Sequence, residues 1–231
     1  MEGNVHIIKE NKIGRIQFFH PKGNCLPTHL LKALVDALET LDKDAQTHVV
    51  ILESNGNAFC AGASLSELKA VKNISEGTAF FMGFAVLLNT LREMSKFVLA
   101  RVHGKVVGGG VGLVAACDYA FATAASEIKL SELSIGLGPY VIEPAVSRKM
   151  GTTAFAQLSL NSACWKSAEW GLEKGLYAEC LPDQNTLDRT LNEKAKQFSE
   201  YAPKACSALR KLHWKDTHHW NDLLPENAKI T

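Results

Sequence analysis

Three short stretches of the 231-residue chain combine residue types that could stabilise or move charge. In Ala58-Phe59-Cys60-Ala61-Gly62-Ala63-Ser64-Leu65, small residues follow an apolar run and precede a helical pattern. Free backbone N–H groups gather where a helix begins, and Ala61, Gly62 and Ala63 let a ligand atom come close to them. Such a turn suits an anion or an oxyanion, although an ordinary strand-to-helix turn has the same composition. Gly104-Lys105-Val106-Val107-Gly108-Gly109-Gly110-Val111-Gly112 offers a second set, because three successive glycines leave amides open at the positive end of an apolar helix. No Gly-Lys-Ser/Thr closes it, so it is not a Walker loop. Gly110-x-Gly112-x-x-Ala115 has the dinucleotide-binding spacing, with Glu132 about 20 residues on. That motif places its acid at the end of the strand directly after the helix, and here that strand ends near Thr123, so the match is weak. The third stretch, Ser131-Glu132-Leu133-Ser134-Ile135-Gly136-Leu137-Gly138-Pro139, carries one carboxylate from a strand end into a Gly/Pro loop, where catalytic groups are often displayed. Alone, Glu132 reads more simply as a solvated surface residue. Together, two amide-bearing turns and one carboxylate form an oxyanion hole with a base.

These stretches need elements to hold them. Val5–Lys9 and Gly14–Phe19 alternate around a polar turn and read as a hairpin. Thr28 is placed to cap a helix to about Leu41, with Leu30, Leu31, Leu34, Leu38 and Leu41 on one stripe. His48–Glu53 is a short strand of the doubly buried kind, and Phe97–His103 another. Glu76–Met94 reads as a helix between them. Asp118–Thr123 and Glu127–Leu130 read as strands close enough for a hairpin. After Gly138 helices dominate, near Ile142–Met150, Thr153–Leu160, Ser167–Gly171, Thr186–Tyr201 and Ala205–Trp214. Strand, glycine loop and helix recur at Val49–Leu68 and Phe97–Cys117, as a layered α/β architecture requires.

Composition excludes more than it selects. Hydrophobic residues make up 46% and charged residues 21%, with a net charge of +1, so neither disorder nor an electrostatic attraction to nucleic acid or an acidic membrane is expected. The longest apolar run, Val106 to Cys117, is too short to span a bilayer. The chain opens on polar and acidic residues with no signal-sequence pattern. Six cysteines show no C-x-x-C pair, which suggests reduced thiols and a cytoplasmic protein. His213, His218 and His219 have no zinc spacing, and no metal is expected. Ser64 lies outside any G-x-S-x-G elbow.

In combination, Ala58-Phe59-Cys60-Ala61-Gly62-Ala63, His103-Gly104, Gly108-Gly109-Gly110, Ala116-Cys117-Asp118 and Glu132 with Gly136 resemble the crotonase superfamily, the enoyl-CoA hydratase/isomerase family, from about Val5 to Leu181. The resemblance implies an α/β fold with a crotonase-like (ββα) spiral core over residues 1–195 and a C-terminal helical segment, 196–231, that builds trimers or hexamers and covers neighbouring sites. The apolar stripe Leu187, Leu191, Ala195 and Phe198 needs a surface to pack on. Against the family pattern the chain stops early, at Ile230-Thr231.

The resemblance also implies roles. Ala63 and Gly109 supply the two amides that hold a CoA thioester oxygen. Ala61, Ser64, Leu65, Gly110 and Tyr140 contact substrate, and Asn24 and Lys22 are weaker candidates near the CoA moiety. Coenzyme A enters as part of the acyl-CoA substrate, with no permanently bound cofactor. Hydratases of the family use two glutamates; the first position is Gly112 here and the second is Glu132. A single base resembles the isomerases, which move a proton from one carbon to another two carbons away and so convert 3-enoyl to 2-enoyl thioesters. Glu143, one helical turn beyond the loop, is a candidate for a second acid or base, and as a first-turn helix residue it also suits the dipole. Hydration and a noncatalytic acyl-CoA-binding role are the alternatives.

Overall fold

An antiparallel hairpin, β1 (Asn4–Glu10) and β2 (Ile13–Phe19), opens the chain in full register from Asn4 against Phe19 to Glu10 against Ile13. The computed structural model describes residues 2–230; Met1 and Thr231, the outermost residues of the two expected parts, lie outside the described residues. Next come α1 (Thr28–Lys43), β3 (Val49–Ser54), β4 (Ala58–Cys60), α2 (Leu65–Leu68) and α3 (Ile74–Glu93). They are followed by β5 (Phe97–Val102), β6 (Lys105–Val107), α4 (Gly109–Ala115), β7 (Tyr119–Thr123), β8 (Glu127–Lys129) and a 3-10 turn at Glu132–Ile135. The last part holds α5 (Glu143–Met150), α6 (Thr152–Leu160), β9 (Lys166–Ser167), α7 (Ala168–Glu173), β10 (Glu179–Leu181), α8 (Gln184–Ser199), α9 (Pro203–His213) and α10 (Trp220–Ile230).

Two sheets result. The larger has the order β1-β2-β3-β5-β7-β10 and is parallel after its first pair; the smaller is β4-β6-β8-β9, parallel from β4 to β8. Each turn of the chain lays one strand in the large sheet and the next in the small one (β3 then β4, β5 then β6, β7 then β8). This is the ββα spiral that the resemblance implied. It overturns the expected hairpin of Asp118–Thr123 with Glu127–Leu130, because β7 and β8 belong to different sheets. Ser126 makes the corner between them, its amide on the Thr123 carbonyl at 2.9 Å and its hydroxyl paired with that of Thr123 at 3.0 Å.

Period-two alternation divides the large sheet between two cores. Val50, Leu52, Val98, Ala100, Ala120 and Ala122 face the main core with the leucine stripe of α1. Val49, Ile51, Leu99 and Phe121 face the other way, onto Leu187, Leu191 and Ala195 of α8. The α8 stripe is therefore satisfied within its own chain. The division expected at residue 195 falls inside α8. Thr28 does not cap α1; Pro27 holds that position, and the Thr28 amide and hydroxyl donate to the Glu67 carboxylate at 2.9 and 2.8 Å.

α10 escapes the sequence reading because Pro225 interrupts its pattern; it packs on α3 through Trp220, Leu224 and Ala228. α3 has 20 residues and enough apolarity to cross a bilayer, more than the Val106–Cys117 run, but here it lies between α1 and α10. The ends of these helices are fastened by a buried cation. Arg210 donates to Asp118 at 2.8 Å, to the Arg92 carbonyl at 2.9 Å, and to the carbonyls of Met94 and Leu91. Asp118 in turn accepts from the Val98 amide at 2.8 Å. Replacing Arg210 with methionine strands the Asp118 charge in the interior, so urea unfolding should show a loss of about 3–5 kcal/mol; a loss below about 1 kcal/mol would match an exposed pair instead.

Candidate active site

β4, β6 and β8 are adjacent and parallel, so the turns that follow them emerge at one end of the small sheet. Ala63 lies in the first turn, Gly109 in the second and Glu132 in the third. All three line one apolar cavity of ≈ 190 Å³. Crevices at the carboxyl ends of parallel strands are the usual ligand sites of open α/β sheets.

The first two turns touch. Gly62 has a φ of +79°, and a Cβ there would stand 2.7 Å from the Val107 carbonyl oxygen and 3.1 Å from the Gly109 nitrogen. Only glycine permits both the conformation and the approach. Among the described residues, neither the Ala63 nor the Gly109 amide donates to another backbone carbonyl. His103-Gly104 helps to hold β4 beside β6: the buried His103 pairs through Nε2 with the Gly56 carbonyl at 2.8 Å, and a Cβ on Gly104 would meet the Asn57 oxygen at 2.5 Å.

The third turn presses its carboxylate against the second. Gly108 has a φ of +53°, and a Cβ there would lie 2.8 Å from Glu132 Oε1. The Gly108 amide donates to the Lys129 carbonyl at 2.9 Å, which extends the β6–β8 ladder to the site. Glu132 Oε2 is buried without a hydrogen-bond partner among the described residues. Burial pushes the Glu132 carboxyl up to about 7, against a smaller downward pull from the backbone amides of Glu132 and Ser131. A carboxyl poised there can both take and return a proton near neutrality. Two unclaimed amides beside it can hold a developing oxyanion.

The structure brings Ala61, Leu65 and Tyr140 to the same cavity as Ala63, Gly109 and Glu132. Ser64 and Gly110 are not in its wall. Ser64 caps α2, accepting from the Glu67 amide, and a Cβ on Gly110 would run into Cys60. Glu143 is also absent from the lining; its carboxylate accepts the Ser147 hydroxyl at 2.6 Å, one turn along α5. Asn24 is a buried brace that donates to the carbonyls of Asn55 and Ala58 at 2.6 and 2.7 Å, whereas Lys22 is exposed nearby. Gly112 faces Ile142, whose Cγ2 is 2.5 Å from where a Cβ would sit.

Phe81 and Phe84 of α3 were not foreseen as wall residues. Their signal is an aromatic stripe in an apolar helix, which sequence alone does not separate from core. α10 supports this wall within the same chain: it backs α3, and Asn227 donates to the Tyr140 carbonyl at 2.9 Å. Cys60 and Cys117 are buried thiols pushed up to about 12, so neither is a nucleophile.

A model of the family described as enoyl-CoA hydratase/isomerase matches residues 8–224. A protein of Bacillus subtilis named "Probable enoyl-CoA hydratase" is 25% identical over 209 residues, covering 90% of this chain and 81% of its own. The short-chain-enoyl-CoA hydratase of Clostridium acetobutylicum is 29% identical over 205 residues, covering 87% and 77%. The crystal structure of an enoyl-CoA hydratase from Bacillus halodurans shares the fold with a TM-score of 0.91 at 20% identity, covering 98% of this chain and 92% of that one.

The raised carboxyl ties stability to pH. Protonated Glu132 suits the folded chain, so its contribution is whole below about pH 4.5 and is lost as pH climbs through about 7. Glu132→Gln stays neutral throughout. In chemical denaturation the variant should equal the parent at low pH and exceed it above pH 7 by up to about 3 kcal/mol; equal stabilities across that range would refute the buried, unpaired carboxyl.

Proposed function

The chain belongs to the enoyl-CoA hydratase/isomerase family, crotonase-type enzymes acting on acyl-CoA thioesters, and on that premise we propose that it converts 3-enoyl to 2-enoyl thioesters with Glu132 as the only proton carrier. Glu132 takes a proton from C2 of the 3-enoyl thioester, and the electrons released run onto the thioester oxygen. The Ala63 and Gly109 amides receive that oxygen; donors so placed are worth about 3–4 kcal/mol each to the transition state. The proton returns at C4, and the double bond settles between C2 and C3. One carboxyl that ionises near neutrality suits both halves of this exchange.

The observation that carries the reading is the absence, among the described residues, of a second carboxylate from the cavity wall: Glu132 is the one acidic residue among those described there, and the Gly112 direction is filled by Ile142. Water addition in the two-carboxylate manner needs one group to activate water and another to protonate carbon. Purified protein should isomerise 3-enoyl-CoA and hydrate crotonyl-CoA poorly. Glu132→Gln should cut isomerisation by about 100-fold to 10,000-fold, and the parent's kcat/KM should rise as pH climbs through about 7 and the base ionises. Strong hydration that survives Glu132→Gln would defeat the assignment.

We also propose a homotrimer. Tyr201, Leu209 and Leu212 stand exposed on and beside α9, an apolar surface that association would cover. Light scattering should give about three times the chain mass; a stable monomer at micromolar concentration would contradict it.

A further inference from the structure

We propose that Ile142 keeps a second acid or base out of the site, by occupying the volume through which a carboxylate on α4 would enter the cavity. This rests on the isomerase reading and extends it from the absence of a second carboxylate to the residue that enforces that absence.

Ile142 is buried at the foot of α5 and lines the cavity with Glu132 and Gly109. It lies across from Gly112, in the middle of α4, the helix whose first residue, Gly109, carries one of the two cavity amides. A Cβ on Gly112 would sit 2.5 Å from Ile142 Cγ2 and 2.6 Å from Ile142 Cβ. The clash is with a branched, buried side chain held close to its own backbone, so it cannot be relieved by swinging out a flexible end. Any side chain at residue 112 and the present side chain at 142 are alternatives for one space. With isoleucine in it, that space is filled by hydrocarbon, and its side chain offers a water molecule no hydrogen bond.

Vacating that space and adding a carboxylate should change the chemistry. In Gly112→Glu/Ile142→Ala, the new carboxylate can take a proton from water while the water oxygen bonds to C3 of a 2-enoyl thioester. The double-bond pair moves onto the thioester oxygen between the amides. On collapse, C2 receives the proton held by Glu132. One water is consumed, and one 3-hydroxyacyl thioester is formed.

The test compares the parent, Gly112→Glu, Ile142→Ala and the double variant. Each is assayed for hydration of crotonyl-CoA and isomerisation of a 3-enoyl-CoA, with melting curves throughout. The double variant should hydrate about 100-fold faster than the parent, whereas Gly112→Glu alone should melt early or remain inactive in hydration. A folded double variant that hydrates no faster than the parent overturns the proposal, as does a stable Gly112→Glu that hydrates as well as the double variant. Gly112→Ala supplies a check independent of catalysis. It should lower the melting temperature in the parent and do so far less in Ile142→Ala, the coupling expected of two groups sharing one volume. Additive losses overturn the proposal even if the double variant does not fold. Failure of the underlying reading shows separately, as hydration of crotonyl-CoA by the parent itself.

Discussion

Everything at the site depends on three short parallel strands lying side by side. β4, β6 and β8 are three residues each, and each is followed by a turn that delivers one residue to the cavity: Ala63, Gly109 and Glu132. The spacing between neighbouring strands in a sheet is fixed at about 4.8 Å by their hydrogen bonds. Amide, amide and carboxyl are therefore set in order by backbone geometry, before any side chain makes a choice. The glycines are the condition for this. Gly62 lets the first turn lie on the second, and Gly108 lets the carboxylate of the third lie on the second.

The same closeness sets the electrostatics. The Glu132 carboxylate lies against glycine backbone and hydrocarbon, with no cation paired to it among the described residues, and burial raises it to about 7. A carboxyl in that condition costs stability when it ionises and gains basicity in exchange. The cost is borne by a large scaffold: α3 and α10 close one wall, α8 covers the far face of the large sheet, and Arg210 fastens the helix ends to Asp118. The polar network lies away from the cavity, whose own walls remain apolar.

Much of this was legible in the sequence. The two glycine-rich turns and Glu132 stand out by residue type, and the hairpin, α1, β3, α3 and β5 by period. What was hidden is the small sheet that aligns them. β4 and β6 are too short for alternation to register, and β8 reads as a strand whose neighbour stays hidden, since a hairpin and a corner between sheets have the same local sequence. The family resemblance implies substrate contacts for Ser64 and Gly110, but Ser64 is a helix cap and Gly110 packs tightly on Cys60. Glu143 lies outside the cavity lining, and its carboxylate accepts from Ser147. Phe81, Phe84 and the backing role of α10 needed the tertiary arrangement to be seen.

The central claim is that negative charge developing on a thioester oxygen is held between two main-chain amides within reach of one carboxyl. It is tested most directly by a crystal structure of the protein with a nonreactive acyl-CoA thioester analogue. The account predicts the thioester oxygen about 2.7–3.1 Å from both the Ala63 and the Gly109 nitrogens, with the Glu132 carboxylate about 3–3.5 Å from the carbons that exchange the proton. An analogue bound with its thioester oxygen away from these amides, or with another side chain nearer those carbons than Glu132, would contradict it.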